Sequence, residues 1–450
     1  MTGVHDARLP LSAAQRGVWF GHQLDHSGRK YQIAEYFDIR GPVDPALFDA
    51  AWRRAFQETD AMRVRFVEDD EQPWQIVEAT PHVDVPVLDV SSEPHPEEAA
   101  VAWMSDELAR PADLLDGPLH AVALFKVSQD RYFWYQRFHH SIMDGYSGAV
   151  FVRRVADVYT ALAAGRGVED GRLGALRELI DDDAAYRSSE QFALDRAHWI
   201  ERLADRPEAA TLARRAGNTG GGTIRHSARL TPDEHTRLTA ATGRALPTVV
   251  VAAVAAYLHR LTGRRDLLIG LPVTARAESA AKAVPGMLSN LLPLRLDVTA
   301  GMSLEQLTRQ VLREARAALR HQRYRYEDIR RDLGLAHTDE PLVGPTVNVL
   351  PYSHDRGFAG NRMVSHNLAG GLAEDLSVSV YDRGDGQGLR IGFDANGELY
   401  SADELAAHQR GFLRVLRAMA DNPGIRVGEV ELTEPAEEKL VLGEWSGGAV

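Results

Sequence analysis

The sequence predicts a mixed α/β protein of two lobes, and three observations carry that expectation. Segments of helical period and of strand period alternate along the whole chain, without short repeats or low-complexity tracts, as in sheets covered by helices. At 450 residues the chain suffices for two or three ordinary domains, so an active site can lie between lobes. A polar, glycine-dense stretch, Asn218 to Thr223 (NTGGGT), interrupts the pattern near the middle and puts a junction between about Gly165 and Thr223.

Asp44-Pro45 reads as an N-cap followed by proline at the first helical position, and Leu47, Phe48, Ala51, Trp52 and Phe56 recur behind it at helical spacing. Arg131 to His140 (RYFWYQRFHH) is rich in aromatics and reads as a strand. Ser147 to about Gly165 reads as a helix with Phe151, Val155, Val158 and Leu162 inward, which leaves SIMDGY as a strand-to-helix loop. In the second half the expected elements are a helix from Thr248 to Leu261, strands at Leu267 to Val273 and Leu291 to Val298, and a helix from Leu304 to Tyr324. Asn396-Gly397, between LRIGFD and a short ELY, is a hairpin cue. Each half is thus expected to hold its own sheet. The acidic tail from Val430 onward reads as a linker.

Composition narrows the function. The chain is 44% hydrophobic and 26% charged, as globular proteins are. Without cysteine it has no thiol nucleophile, no Cys-based metal site and no disulfide, which fits a reducing cytosol. A net charge of −13 opposes binding to nucleic acid or an anionic membrane surface, so small molecules or proteins are the expected partners. The apolar run from Val249 to Leu258 is too short to span a bilayer, and Met1 to Pro10 has no apolar signal core.

The densest chemical feature is His139-His140-Ser141-Ile142-Met143-Asp144-Gly145, where the aromatic strand ends. Strand alternation sends adjacent side chains to opposite faces, so one histidine can enter a cleft while the other supports it. Asp144 can bind an arginine or cap the next helix, and Gly145 permits positive φ or close approach of another backbone. Three readings stay open here: structural histidines with a capping aspartate, a metal site without a completed ligand set, and a general base working near pH 7. Gly145-Tyr146-Ser147-Gly148-Ala149 is similar to a nucleophile elbow, but alanine stands where the second glycine belongs.

At this loop the sequence resembles the condensation domains of nonribosomal peptide synthetases, whose HHxxxDG signature is matched by His139, His140, Asp144 and Gly145. Further segments are similar to the family's motifs in the same order. Leu11 to Arg16 with Trp19 resembles SxAQxR, and Thr59 to Phe66 resembles RHExLRTxF with Thr59-Asp60 in place of its Arg-His pair. Tyr186 to Trp199 resembles the opening of the second lobe, and Gly286 to Asn290 with Pro293 resembles GxFVNT. His321-Gln322 with Tyr326-Glu327 loosely resembles HQDxPFE, and Gly344 to Asn348 resembles the last motif.

The resemblance implies a pseudo-dimer of two chloramphenicol-acetyltransferase-like lobes forming a V with a tunnel between them, at 1–175 and 176–432, with 433–450 starting a linker to an adenylation domain. It implies an acyltransferase that joins a donor acyl thioester to the α-amine of an aminoacyl thioester. His140 is then the catalytic group, His139, Asp144, Gly145 and Arg276 are supporting, and Asp144 is expected to pair with Arg276. Asn348, Ser147 and Trp19 are expected to line the tunnel. No bound cofactor or metal is implied, since the substrates ride on phosphopantetheine arms of a donor acyl or aryl carrier protein in trans and an acceptor peptidyl carrier protein. With Met1 about ten residues before the first motif, the domain is expected to open its polypeptide and act as a cytoplasmic starter. Segments such as WYQRFHH and EPLVGPTVN resemble the first modules of catechol-siderophore synthetases, implying 2,3-dihydroxybenzoate as donor; a fatty acyl donor and a non-catalytic docking platform are the alternatives.

Overall fold

The computed structural model describes residues 8–70, 72–79, 83–171, 173–215, 222–243, 245–276, 280–336, 338, 340–350, 357–370, 373–382 and 386–432. In chain order the elements are β1 (Leu9–Pro10), α1 (Ala13–Gln23), β2 (Gln32–Arg40), α2 (Pro45–Gln57), β3 (Val64–Asp69), β4 (Gln72–Val77), β5 (Val87–Asp89), α3 (Pro96–Leu108), β6 (His120–Ser128), β7 (Arg131–His139) and α4 (Gly145–Ala163). They continue as α5 (Leu176–Arg187), α6 (Glu190–Arg202), β8 (Thr223–Leu230), α7 (Pro232–Thr242), α8 (Leu246–Thr262), β9 (Asp266–Val273), β10 (Asn290–Asp297) and α9 (Leu304–Leu319). The last are α10 (Tyr326–Asp332), β11 (Thr346–Leu350), β12 (Arg362–Gly370), β13 (Leu376–Asp382), β14 (Leu389–Asn396) and α11 (Ala402–Asp421).

One sheet has the order β12-β2-β7-β6-β5, so the strand that ends at His139 is central and paired on both sides. Alternation along β7 sends Trp134 and Phe138 to one face, where α2 and α4 bring Trp52 and Phe151. It sends Phe133 and Tyr135 to the other, against Met104 of α3. With both faces covered, β7 reads as an aromatic run rather than an apolar–polar alternation. Asp44 caps α2 as expected, its side chain accepting from the Ala46 and Leu47 amides. A three-stranded sheet, β1-β4-β3, carries the chain into α1.

The second large sheet, β10-β9-β11-β13-β14-β8, packs with α8, α9 and α11 around its own core. Among the described residues no single helix is long and apolar enough to cross a membrane. The apolar helix α8 is instead buried over most of its length.

Each half holds a large sheet of its own, as expected, but one strand is exchanged between them. After β11 the chain crosses over, and β12 pairs antiparallel with β2 from Arg362 opposite Arg40 to Gly370 opposite Ile33. Phe358, just before β12, is fully buried in the first lobe, stacked on Tyr159 at 4.0 Å between centroids.

Three departures from the sequence expectation have a visible cause. Helix α4 starts at Gly145 rather than Ser147, because Asp144 caps it and accepts from the Ser147 amide at 2.8 Å. Helix α9 stops at Leu319 rather than Tyr324, because Asn290 Nδ2 donates to the carbonyls of Gln322 and Tyr324, both at 2.8 Å, and fixes a turn there. No hairpin forms at Asn396-Gly397: the Leu399 and Tyr400 amides donate to the Asn396 carbonyl, and the Ser401–Glu404 capping box starts α11. Most of NTGGGT and all of 433–450 lie outside the described residues.

Candidate active site at the end of the central strand

The backbone at the end of β7 is held from two sides. His139 N donates to the Leu119 carbonyl at 2.8 Å and His140 N to the Tyr31 carbonyl at 2.7 Å. Beyond the pair the chain turns at once, with Ile142 N donating to the His139 carbonyl at 3.1 Å. Ile142 and Met143 then plunge into the core and anchor the turn.

The two imidazoles have different surroundings. His139 is fully buried; its Nδ1 accepts from the Ser141 amide at 3.2 Å and lies 2.7 Å from Ser141 Oγ. Because Nδ1 accepts from an N–H, the neutral ring is assigned its proton on Nε2. The His22 ring stands edge-on to it, 5.0 Å between centroids. Burial, reinforced by His22, His140 and Arg137, pushes the His139 pKa down to about 2. His140 is partly exposed. Its Nδ1 is sealed without a hydrogen-bond partner, whereas its Nε2 makes no hydrogen bond and is not sealed. Burial lowers its pKa below the usual histidine value, against the opposing pull of Asp144 and the Met143 backbone. A neutral ring with a nitrogen that is not tied up in a hydrogen bond can accept a proton or a hydrogen bond.

Asp144 does not face solvent at all. Its Oδ2 accepts from Arg276 Nη2 at 3.1 Å and from the Leu288 and Ser289 amides, both at 3.0 Å, while Oδ1 caps α4. The side chains of Asp144 and Arg276 are 0% and 1% exposed. Arg276 also donates to the carbonyls of Ala281, Val284 and Gly286 and to Ser147 Oγ, and its guanidinium lies over the Tyr146 ring at 4.9 Å. Behind this knot, Arg325 Nη1 donates to the Leu288 and Ser289 carbonyls. The segment whose amides hold Asp144 is therefore gripped from its other side.

The expected tunnel residues fall in different places. Ser147 is enclosed, its hydroxyl donating to the Gly286 carbonyl at 2.8 Å and accepting from Gly286 N and Arg276. It is thus a hinge pin of the Asp144 knot rather than an open wall, and no free nucleophile. Trp19 is 1% exposed and packs edge-on against Phe66 in the first-lobe core, because α1 turns that face inward. Asn348 is partly exposed on β11 opposite Ser379 in the second sheet, and no hydrogen bond joins it to the histidine turn. Gly145 adopts neither a positive φ nor close backbone contact: it begins α4, and a Cβ there would meet nothing within 4 Å. Gly148, one turn on along the same face, would meet only Phe138, at 4.0 Å. Gly145 is thus exposed with open space where a side chain would stand, whereas Gly148 is buried. Thr59-Asp60 is structural, with Asp60 accepting from Arg63 and from the Leu176 amide. Among the described residues no three His, Asp or Glu side chains group as metal ligands.

Sequence reasoning missed Tyr31, His22, Gln15 and Arg325. Gln15 and the segment before Arg325 sit inside quoted motifs, which was the available signal, whereas Tyr31 acts through its carbonyl and carries no side-chain signature.

Replacing Asp144 by asparagine keeps the volume and leaves Arg276 buried without a counter-charge, so the expected loss is ~3–5 kcal/mol in urea unfolding. The double variant Asp144→Asn/Arg276→Gln is expected to lose less than the sum of the single variants. The buried histidines set a second expectation. His120, lodged between Trp52 and Phe56, has its pKa lowered to about 4 by burial, with His139 at about 2. Both stay neutral in the fold while the unfolded chain takes up protons below pH 6.5, so stability falls as pH drops from 6.5 toward those values. Between pH 7 and pH 5 each contributes a loss of about 2 kcal/mol, and a urea midpoint that stays constant over that range would contradict it.

Comparison with known proteins follows the same lines. Residues 6–442 match the family described as Condensation domain. The chain is 42% identical over 449 residues to a dimodular nonribosomal peptide synthase of Bacillus subtilis (strain 168), covering 99% of this chain and 19% of that protein. It is 42% identical to an isonitrile lipopeptide synthase of Streptomyces coeruleorubidus (96% of this chain, 30% of that one). It is 31% identical to enterobactin synthase component F of Escherichia coli O157:H7 (95% and 34%). The chain thus spans about a fifth to a third of the length of these relatives. A solved starter condensation domain of rhizomide synthetase RzmA, a variant in complex with C8-CoA, superposes with a TM-score of 0.91 at 40% identity, covering 96% of this chain and 99% of that one. The two lobes accordingly have the chloramphenicol-acetyltransferase-like fold. With its fold and nearly its whole length matched, the chain belongs to the condensation-domain family of nonribosomal peptide synthetases, the amide-forming acyltransferases of those enzymes.

Proposed function

We propose that the chain is a starter condensation domain that takes an acyl group lacking an α-amine from one carrier protein and joins it to an aminoacyl group on another. The observation that carries the reading is the pair of environments at the end of β7: one histidine sealed and neutral, the next neutral with a free, unsealed nitrogen. The acceptor nitrogen attacks the thioester carbonyl carbon, the C–N bond forms, and the C–S bond breaks as the tetrahedral adduct collapses. The amine proton passes by way of His140, and the departing thiolate is reprotonated. His140 is the catalytic residue of this proposal. The Asp144–Arg276 knot and His139 position it. The open space at Gly145 is the passage proposed for a pantetheine-borne chain, and the lobe limits at 175 and 432 belong to the same reading.

Two donor classes have support. The solved RzmA starter domain carries C8-CoA at 40% identity and the isonitrile lipopeptide synthase stands at 42%, which favours an aliphatic acyl donor. Enterobactin synthase component F, at 31%, and the siderophore-like segments favour an aryl donor such as 2,3-dihydroxybenzoate. The relatives whose names point to a lipid or C8 donor stand at higher identity than enterobactin synthase component F, while the dimodular synthase at 42% names no donor.

Carrier docking has a surface to use. Phe20 on α1 and Leu24 at its C-cap, four residues apart, are 57% and 80% exposed, while the opposite face of that helix packs at the site.

The test offers octanoyl-, 2,3-dihydroxybenzoyl- and salicyl-loaded carriers with a panel of aminoacyl carriers and reads products by mass. We expect amide from octanoyl donors in preference to aryl ones, and a loss of at least ~100-fold in His140→Ala with unchanged melting. Product yield unaffected by His140→Ala would remove that residue from the reaction. Leu24→Asp is expected to raise KM for one loaded carrier about tenfold with kcat at saturation and melting temperature preserved; an unchanged KM for both carriers would place docking elsewhere.

A further inference from the structure

The reaction proposed for His140 makes no use of Gln15, yet this side chain reaches the histidine turn from another element. Gln15 on α1 and Gln75 on β4 are 1% and 0% exposed. Their amides face each other reciprocally: Gln15 Nε2 donates to Gln75 Oε1 at 2.9 Å, and Gln75 Nε2 donates to Gln15 Oε1 at 2.8 Å. The second proton on Gln15 Nε2 goes to the Ser141 carbonyl at 3.2 Å, and that on Gln75 Nε2 to the Pro10 carbonyl at 2.9 Å. The Ser12 amide donates to Gln15 Oε1 at 3.0 Å. Turning the Gln15 amide over would aim its oxygen at two acceptors and its nitrogen at two donors, so its direction is fixed.

Ser141 is the residue after His140. Its amide and hydroxyl are engaged with His139 Nδ1, and its carbonyl with Gln15. We propose that Gln15 is a positioning residue for the acyl transfer: its directed amide holds the Ser141 peptide, which in turn sets the His139 ring and the exit angle of the His140 side chain, while the Ser12 amide fixes which way that side chain points and Gln75 satisfies its remaining donor and acceptor. This rests on the assignment of His140 above. Packing alone does not account for the arrangement. A methionine would fill the same space without the cost of burying two primary amides, and such buried amides hold only when every donor and acceptor is matched.

Gln15→Met and Gln75→Met separate positioning from stability, since both break the amide pair but only the first releases Ser141. The expected result is a 10- to 100-fold fall in kcat for Gln15→Met, with KM for each loaded carrier within about twofold, because a misplaced catalytic group costs rate rather than binding. Gln75→Met is expected to lose as much melting temperature yet stay within about threefold of the parent kcat. Gln15→Glu retains the shape. Protonated, its carboxyl can donate to Ser141; ionised, it cannot, so its kcat relative to the parent falls as pH rises. Hydrogen exchange needs no substrate: the Ser141, Ile142 and Met143 amides are expected to exchange about tenfold faster in Gln15→Met but not in Gln75→Met. Equal kcat losses that follow melting temperature in both Met variants, or exchange at the turn unchanged in Gln15→Met, would overturn the proposal. Should the parent make no product with any loaded carrier, the function above fails, and the exchange contrast alone decides the role of Gln15.

Discussion

The buried pair of Asp144 and Arg276 is the constraint on which the rest of the site depends. A carboxylate and a guanidinium this far from water incur a desolvation penalty that their attraction offsets only if the remaining lone pairs and protons are satisfied. Here they nearly all are: Asp144 caps α4 at its positive end and takes two further backbone amides, and Arg276 collects three carbonyls and a hydroxyl. The pair is therefore poor evidence for net stability and good evidence for uniqueness. Only one path of residues 281–289 presents the carbonyls of Ala281, Val284 and Gly286 to Arg276 and the amides of Leu288 and Ser289 to Asp144. An apolar pair of equal volume would pack without dictating that path.

That path also sets the seam between the halves. Met287 lies with Ala14 and Val18 of α1, and Gly17 admits Glu327 so closely that a Cβ would stand 2.7 Å from its carboxylate. The Ala13 amide donates to Asp183 at 2.7 Å. Segments far apart in sequence, from Ser12, His139, Gly286 and His321 onward, thus converge on one stretch of seam, which explains why they read as motifs.

Much of this was legible and some of it could not be. Asp44-Pro45, the aromatic run of β7 and the HHxxxDG loop each carry their information locally, through a cap, a covered strand and a fixed spacing. The crossing of β12 is not local: nothing in RMVSHNLAG says that its partner is β2 rather than a neighbour in the second sheet. The end of α9 depends on Asn290, about thirty residues away. Ser147 and Trp19 were misplaced because their types suit a polar or aromatic wall as well as a filled interior, and only the direction of α4 and α1 decides. The amide pair of Gln15 and Gln75 has no periodicity and no charge; its sole trace was a glutamine inside a motif of unstated purpose.

The lowered pKa of His140 bears on how it would act. An α-ammonium group titrates near 7.7–8.0, whereas burial holds the imidazole below 6.5. Taking a proton from the free ammonium would therefore be uphill, and at neutral pH part of the amine is already unprotonated. Once nitrogen has attacked the thioester carbon, its proton is far more acidic, and a weak, neutral, well-placed base suffices to collect it. A stronger base would be protonated before the substrate arrived. Burial that depresses the histidine thus keeps its nitrogen vacant for the adduct, and it puts the premium on placement rather than basicity, which is why so much of the surrounding structure is spent on fixing the turn that carries it.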